Sequence, residues 1–170
     1  MAKVLYLLRH TKSSWDDPGL DDIDRPLASR GQKAARALAV HMEGTGISPD
    51  LVLCSPARRT RDTLDLVRSG LPPATRVRIE DELYGAEPAD VGRIIRGLAD
   101  DLSSVMVVGH NPTMQKLALV LAAPAAALER MAASFPTGAL VELSFPGNRW
   151  TKVAAGTGRL VTFVTPKDLK

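Results

Sequence analysis

Short apolar runs recur along this chain, each followed by polar residues and then by a stretch with helical spacing. Val4–Leu8 has the length of a buried strand; Leu51–Cys54 and Val105–Val108 repeat the pattern, and Arg76–Ile79 repeats it more weakly. The first helix is expected to open at Ser29, where Ser-x-x-Gln spacing to Gln32 reads as a capping box. Ala34, Leu38 and Met42 recur at i+4 along it, and Gly44 stands at the expected stop. A second helix is expected over Ala57–Ser69, behind Ser55-Pro56 as N-cap and first helical residue. A third spans about Pro88 to Ala99, and a fourth follows Asn111-Pro112 to about Ala122. Only then do strands come without helices between them: Ala139–Ser144, Lys152–Ala154 and Arg159–Val164.

This alternation predicts an α/β fold, a three-layer α/β/α sandwich whose mainly parallel sheet ends in antiparallel edge strands. With 170 residues, no repeat and no long linker, residues 1–170 read as one domain. In such sheets ligands sit beyond the carboxyl ends of the strands. The residues there are Arg9 and His10 after the first strand, Ser55–Arg59 after the second, and Gly109-His110-Asn111 after the fourth.

Composition narrows the chemistry. The net charge is +3, the basic residues are scattered and aromatics are 4%, which argues against a nucleic-acid face and for a local anionic ligand. Cys54 is the only cysteine, so no intrachain disulfide is expected, and its place at a strand end predicts a small core residue. The apolar start breaks at Arg9-His10, and Leu117–Leu128 is short and broken by Pro124, so no membrane span is expected and a cytoplasmic protein is.

Among the arginines of the second helix, Arg58 with Asp62, and Arg61 and Arg68 with Asp65, lie at salt-bridge spacing on one face. Thr60, Thr63, Leu64 and Val67 form the opposite, packed face, and Arg59 borders it in the first turn. Arg59 is therefore the arginine able to reach over the strand ends. Two arginines converging with two histidines suit a tetrahedral dianion, because guanidinium offers planar paired donors and stays charged. A neutral imidazole is a competent nucleophile towards phosphorus. No HxxxH pair is present and arginines beside both histidines would repel a cation, so neither metal nor other cofactor is expected.

Leu8-Arg9-His10-Thr11, the run Ser55-Pro56-Ala57-Arg58-Arg59-Thr60-Arg61-Asp62-Thr63, and Val107-Val108-Gly109-His110-Asn111-Pro112 resemble, in order, the three motifs of the histidine phosphatase superfamily, which includes phosphoglycerate mutases. The resemblance implies that His10 is the phosphorylated nucleophile, that Arg9 and Arg59 clamp phosphate, and that His110 acts on the phosphoryl oxygens. Thr11 departs from the family's usual Gly, and a β-branched residue restricts that loop. The short connection at Tyr84-Gly85-Ala86 and the Asp24-Arg25-Pro26-Leu27 run look like the SixA-type phosphohistidine phosphatases. By that resemblance Arg25 is a further phosphate ligand; the alternative is that it pairs with Asp22 or Asp24.

Ester hydrolysis needs a general acid, for which Glu82 is the candidate by position, beside Glu80 and Asp81; a phosphoramidate needs less help. The substrate is thus expected to be a phosphorylated protein carrying phosphohistidine, with small phosphate esters or a non-catalytic phospholigand module as alternatives. Trp15, near the expected pocket mouth, could anchor its loop or touch substrate. His41 lies on a helix flank, far from the strand ends.

Overall fold

Three strands buried on both faces read as apolar runs, and they lie side by side at the centre of the molecule. The computed structural model describes residues 2–170. Its strands are β1 (Lys3–Arg9), β2 (Leu51–Cys54), β3 (Arg76–Ile79), β4 (Ser104–Gly109), β5 (Leu140–Phe145) and β6 (Arg159–Val164). They form one sheet in the order β3-β2-β4-β1-β5-β6. β3, β2, β4 and β1 are parallel; β5 and β6 join antiparallel at one edge. The expected α/β class and strand arrangement are both realised.

Side-chain alternation divides the core in two. Leu5, Leu7, Leu53, Val105 and Val107 face α3 (Pro88–Arg96), α4 (Thr113–Leu121) and α5 (Leu128–Ala133), meeting Val91, Ile95, Met114, Leu117 and Met131. Tyr6, Leu8, Val52, Cys54, Met106 and Val108 face α1 (Ser29–Thr45) and α2 (Arg58–Val67), meeting Leu38, Met42, Leu64 and Val67. Burying one such aliphatic side chain contributes about 1.5–3 kcal/mol, so both helical layers are held firmly to the sheet.

Several boundaries differ from the expected ones. Ser29 is the first residue inside α1, not its cap; the cap is Ala28, without a side-chain bond, and its N–H donates to the Lys12 carbonyl at 2.9 Å. A tertiary contact has replaced the capping box. The helix passes through Gly44 and ends at Gly46, whose φ of 72° is the left-handed conformation that favours glycine. Ala57, not Ser55, precedes α2, and α3 stops at Arg96, before Gly97. Of the charge pairs expected on α2, Arg58–Asp62 forms at 3.5 Å, whereas Arg61 turns back to donate to the Pro56 carbonyl. The expected strand Lys152–Ala154 is instead a one-turn 3-10 helix, Trp150–Lys152. Trp150 is fully buried there and its indole N–H donates to the Leu102 carbonyl, which draws the segment off the sheet. Helix α5 was not legible as a helix, being only six residues long. No helix among the described residues is long and apolar enough to cross a membrane.

Candidate active site

The pairing of β1 with β4 runs in register from Val4 opposite Ser104 to Arg9 opposite Gly109. His10 and His110 therefore leave the sheet at the same level, and the His10 N–H donates to the Gly109 carbonyl at 3.1 Å. Their ring centroids stand 5.5 Å apart. On the other side of β4, β2 ends with Cys54 opposite Val108, which sets Ser55 beside the second histidine. Ser55 Oγ and His110 Nε2 share a hydrogen bond of 2.7 Å. Two neighbouring strand pairings thus assemble residues separated by up to a hundred positions.

His10 is 7% exposed. Its Nδ1 lies 2.7 Å from the Thr11 carbonyl oxygen. A carbonyl can only accept, so Nδ1 carries the proton and Nε2 carries the lone pair. Burial pushes the imidazole's pKa down to about 3; the Thr11 carbonyl opposes this, while His110, Arg59 and Arg9 add to it. His110 is pushed down to about 4, again mainly by burial, then by Arg59. Both rings are neutral at neutral pH.

The two arginines are anchored through their outer nitrogens. Arg9 Nη1 donates to the Phe135 carbonyl at 2.8 Å. Arg59 Nη1 donates to the Asp22 carbonyl at 2.8 Å and Nη2 to the Asp22 carboxylate at 3.0 Å. Among the described residues, three buried side-chain nitrogens have no hydrogen-bond partner: Arg9 Nε, Arg59 Nε and His110 Nδ1. Such orphans are rare in folded proteins and each calls for an explanation. All three belong to the set that the strand-end argument selects. The two Nε–H groups can only donate, and they suit the oxygens of a phosphoryl dianion.

Thr63 braces this cluster from α2. Its hydroxyl donates to the Arg59 carbonyl at 2.7 Å and accepts from the Thr11 N–H at 3.1 Å; the Thr11 hydroxyl lies 3.2 Å away. Thr11 is fully buried with a negative φ, so its loop does not need the usual glycine. The backbone freedom falls instead at Gly138, where φ is 80° and the N–H donates to the carbonyls of Arg9 and His10. An added Cβ there would stand 2.8 Å from Pro166 Cγ.

Asp22 was expected only as an alternative partner of Arg25, and its place in the cluster was not legible in the sequence. It sits on a one-turn 3-10 helix, Asp22–Asp24, in the polar loop, and accepts from Arg59, from Arg25 Nε at 3.2 Å and from the Tyr84 hydroxyl at 2.6 Å. These bonds, led by the one from Tyr84, hold its carboxyl down at about 2. The chain has Asp at 16, 17, 21, 22 and 24, and no periodicity in the loop separates one from another. Arg25 realises the pairing reading: besides Asp22 it donates to Ser13 Oγ and the Ser14 carbonyl, and its guanidinium lies 3.5 Å over the Trp15 ring. Trp15 anchors the loop while staying 70% exposed. Arg25 reaches the cluster through Asp22, with no direct bond to either histidine. Glu82 lies exposed on the one-turn helix Asp81–Leu83, and no hydrogen bond ties it to the cluster; Tyr84, two residues on, makes that connection. Cys54 is fully buried and its thiol is pushed up to about 12, chiefly by burial, consistent with a core residue.

The sequence pattern of the histidine phosphatase superfamily (branch 1) matches residues 5–87. An uncharacterized protein of Mycobacterium tuberculosis is 38% identical over 164 residues, covering 94% of this chain and all of that one. The solved SixA protein of Nakamurella multipartitia superposes with a TM-score of 0.86 at 30% identity, over 98% of this chain and 97% of that one. The protein histidine phosphatase SixA solved with tungstate shares the fold at a TM-score of 0.81 and 23% identity, over 98% of this chain and 99% of that one.

Proposed function

The chain belongs to the histidine phosphatase superfamily, and from that premise we propose that it is a metal-independent phosphatase that works through a phosphohistidine on His10 and removes phosphate from phosphohistidine in proteins. The observation that carries the reading is the His10 ring: its Nδ1–H is committed to the Thr11 carbonyl, which leaves Nε2 as the nucleophile beside three unpartnered buried nitrogens. In the first step Nε2 attacks phosphorus, the Nε2–P bond forms and the substrate's P–N bond breaks. The leaving imidazole departs protonated. In the second step water attacks phosphorus, the Nε2–P bond breaks, and inorganic phosphate leaves with the proton balance passing to solvent. Arg9, Arg59 and His110 hold the equatorial oxygens through both steps, which is most of what phosphoryl transfer requires.

Asp22 supports the finer choice of substrate. It is the carboxylate in contact with the cluster, and its bonds to Tyr84 and Arg59 keep it ionised, unable to protonate a leaving alkoxide. A phosphoramidate brings a leaving group that takes its proton from water. A phosphatase of small phosphate esters would need an acid such as Glu82. Hydrolysis of a phosphohistidine peptide and of p-nitrophenyl phosphate in excess chelator, by wild type and Glu82→Gln, separates the two. Preference for the peptide with no effect of Glu82→Gln is expected; preference for the ester, lost in Glu82→Gln, overturns the substrate assignment.

A further inference from the structure

A groove lies beside the catalytic loop and outside the cluster described above. It encloses about 790 Å³ between α1 and the one-turn helix Pro166–Leu169. One wall is the stripe Arg30, Lys33, Ala34 and Ala37, which recurs at i, i+3, i+4 and i+7 and so shares one face of α1. Lys167 and Lys170 stand on the other wall, and Lys12 and Thr137 close the end nearest the site. Lys12 follows His10 by two residues, and Thr137 precedes Gly138, whose N–H is bound to the His10 carbonyl.

Lys12, Arg30, Lys33, Lys167 and Lys170 are all exposed, none is in an ion pair among the described residues, and no acidic side chain lines the groove. The nearby carboxylate, Asp168, is occupied by Arg130 and the Thr165 N–H. Five cations exceed the +3 net charge of the whole chain, so the remaining surface is net acidic. A field concentrated in this way attracts and orients an anionic partner. The lining contains no aromatic side chain on which a base could stack, and its apolar part, Ala34, Ala37 and Leu169, suits small apolar residues.

We propose that this groove docks an acidic segment of the phosphorylated protein, holding it while the phosphohistidine enters the site next door. The inference rests on the protein-substrate reading above, and its test separates the two. Binding of a dye-labelled, unphosphorylated acidic peptide is followed by fluorescence anisotropy for wild type and Arg30→Glu/Lys33→Glu, and kcat/KM is measured on phosphohistidine peptides with acidic or neutral flanks. The double variant is expected to lose affinity for the acidic peptide by about tenfold or more, roughly the span of one or two surface charge contacts reversed in sign. Its kcat/KM is expected to fall by a similar factor on the acidic-flanked substrate only. Lys167→Glu on the opposite wall repeats the test should the double variant melt early. Loss of peptide binding with no phosphohistidine turnover by wild type would sustain the groove and sink the substrate reading. Unchanged peptide binding in both variants, equal loss on both substrates, or wild-type preference for a single-stranded oligonucleotide would overturn the docking proposal.

Discussion

Asp22 and Arg59 are joined twice, through the Asp22 carbonyl at 2.8 Å and its carboxylate at 3.0 Å, so that the arginine's outer nitrogens are fixed and its Nε–H faces inward without a partner. The carboxylate aims the clamp and at the same time competes with a phosphoryl dianion for it. Asp22→Asn keeps the shape and removes the charge. It is expected to tighten inhibition by inorganic phosphate several-fold while lowering kcat, because Arg59 is less firmly aimed. Inhibition constants and kcat from one set of progress curves check this; unchanged phosphate inhibition would show that Asp22 does not oppose the ligand.

Ser55 orients His110 through the 2.7 Å bond to Nε2. One hydrogen bond of this kind contributes about 0.5–1.5 kcal/mol. Ser55→Ala is therefore expected to lower kcat by up to about tenfold with little change in melting temperature, and a ring-nitrogen NMR signal of His110 should move. Full kcat in the variant would remove Ser55 from the account.

Thr63 carries a structural load. Thr63→Val preserves its volume but strands the buried Thr11 N–H, at a cost of about 1–3 kcal/mol. A chain of this size loses about 2–4 °C in Tm per kcal/mol, and the melt should fall accordingly while Thr63→Ser stays near wild type. Equal melting of Val and Ser variants would contradict the bracing role.

The pH dependence of stability follows from the histidines. His10 and His110 hold pKa values of about 3 and 4 in the folded chain against an ordinary value near 6.5, so between those limits the unfolded chain binds more protons. Stability is then full above about pH 6.5 and is lost as pH falls through 4 to about 3. Denaturant midpoints of wild type and His10→Ala/His110→Ala across this window check the assignment: the wild type's acid loss should be shallower in the double variant. Parallel curves would place the acid sensitivity elsewhere.

The mainly parallel sheet with its antiparallel edge and the site's two histidines were legible because both follow from buried apolar runs and the polar residues that end them; the order of the strands was not. Arg59 was legible for a related reason: α2 has one packed face, and Arg59 borders it at the first turn. What escaped was settled by contacts between segments distant in sequence. Ser29 lost its cap role to the Lys12 carbonyl, and Trp150 left the sheet to bury its ring. Asp22 owes its place to Tyr84 and Arg59, sixty-two and thirty-seven residues away, and nothing local marks it among the aspartates of the loop.

The most direct test of the central claim is to quench the reaction with a radiolabelled phosphohistidine peptide within a single turnover and look for label on the protein. An acid-labile, alkali-stable phosphoenzyme mapped to Nε2 of His10 is expected, absent from His10→Ala together with turnover. Turnover that persists in His10→Ala, or label on another residue, would contradict it.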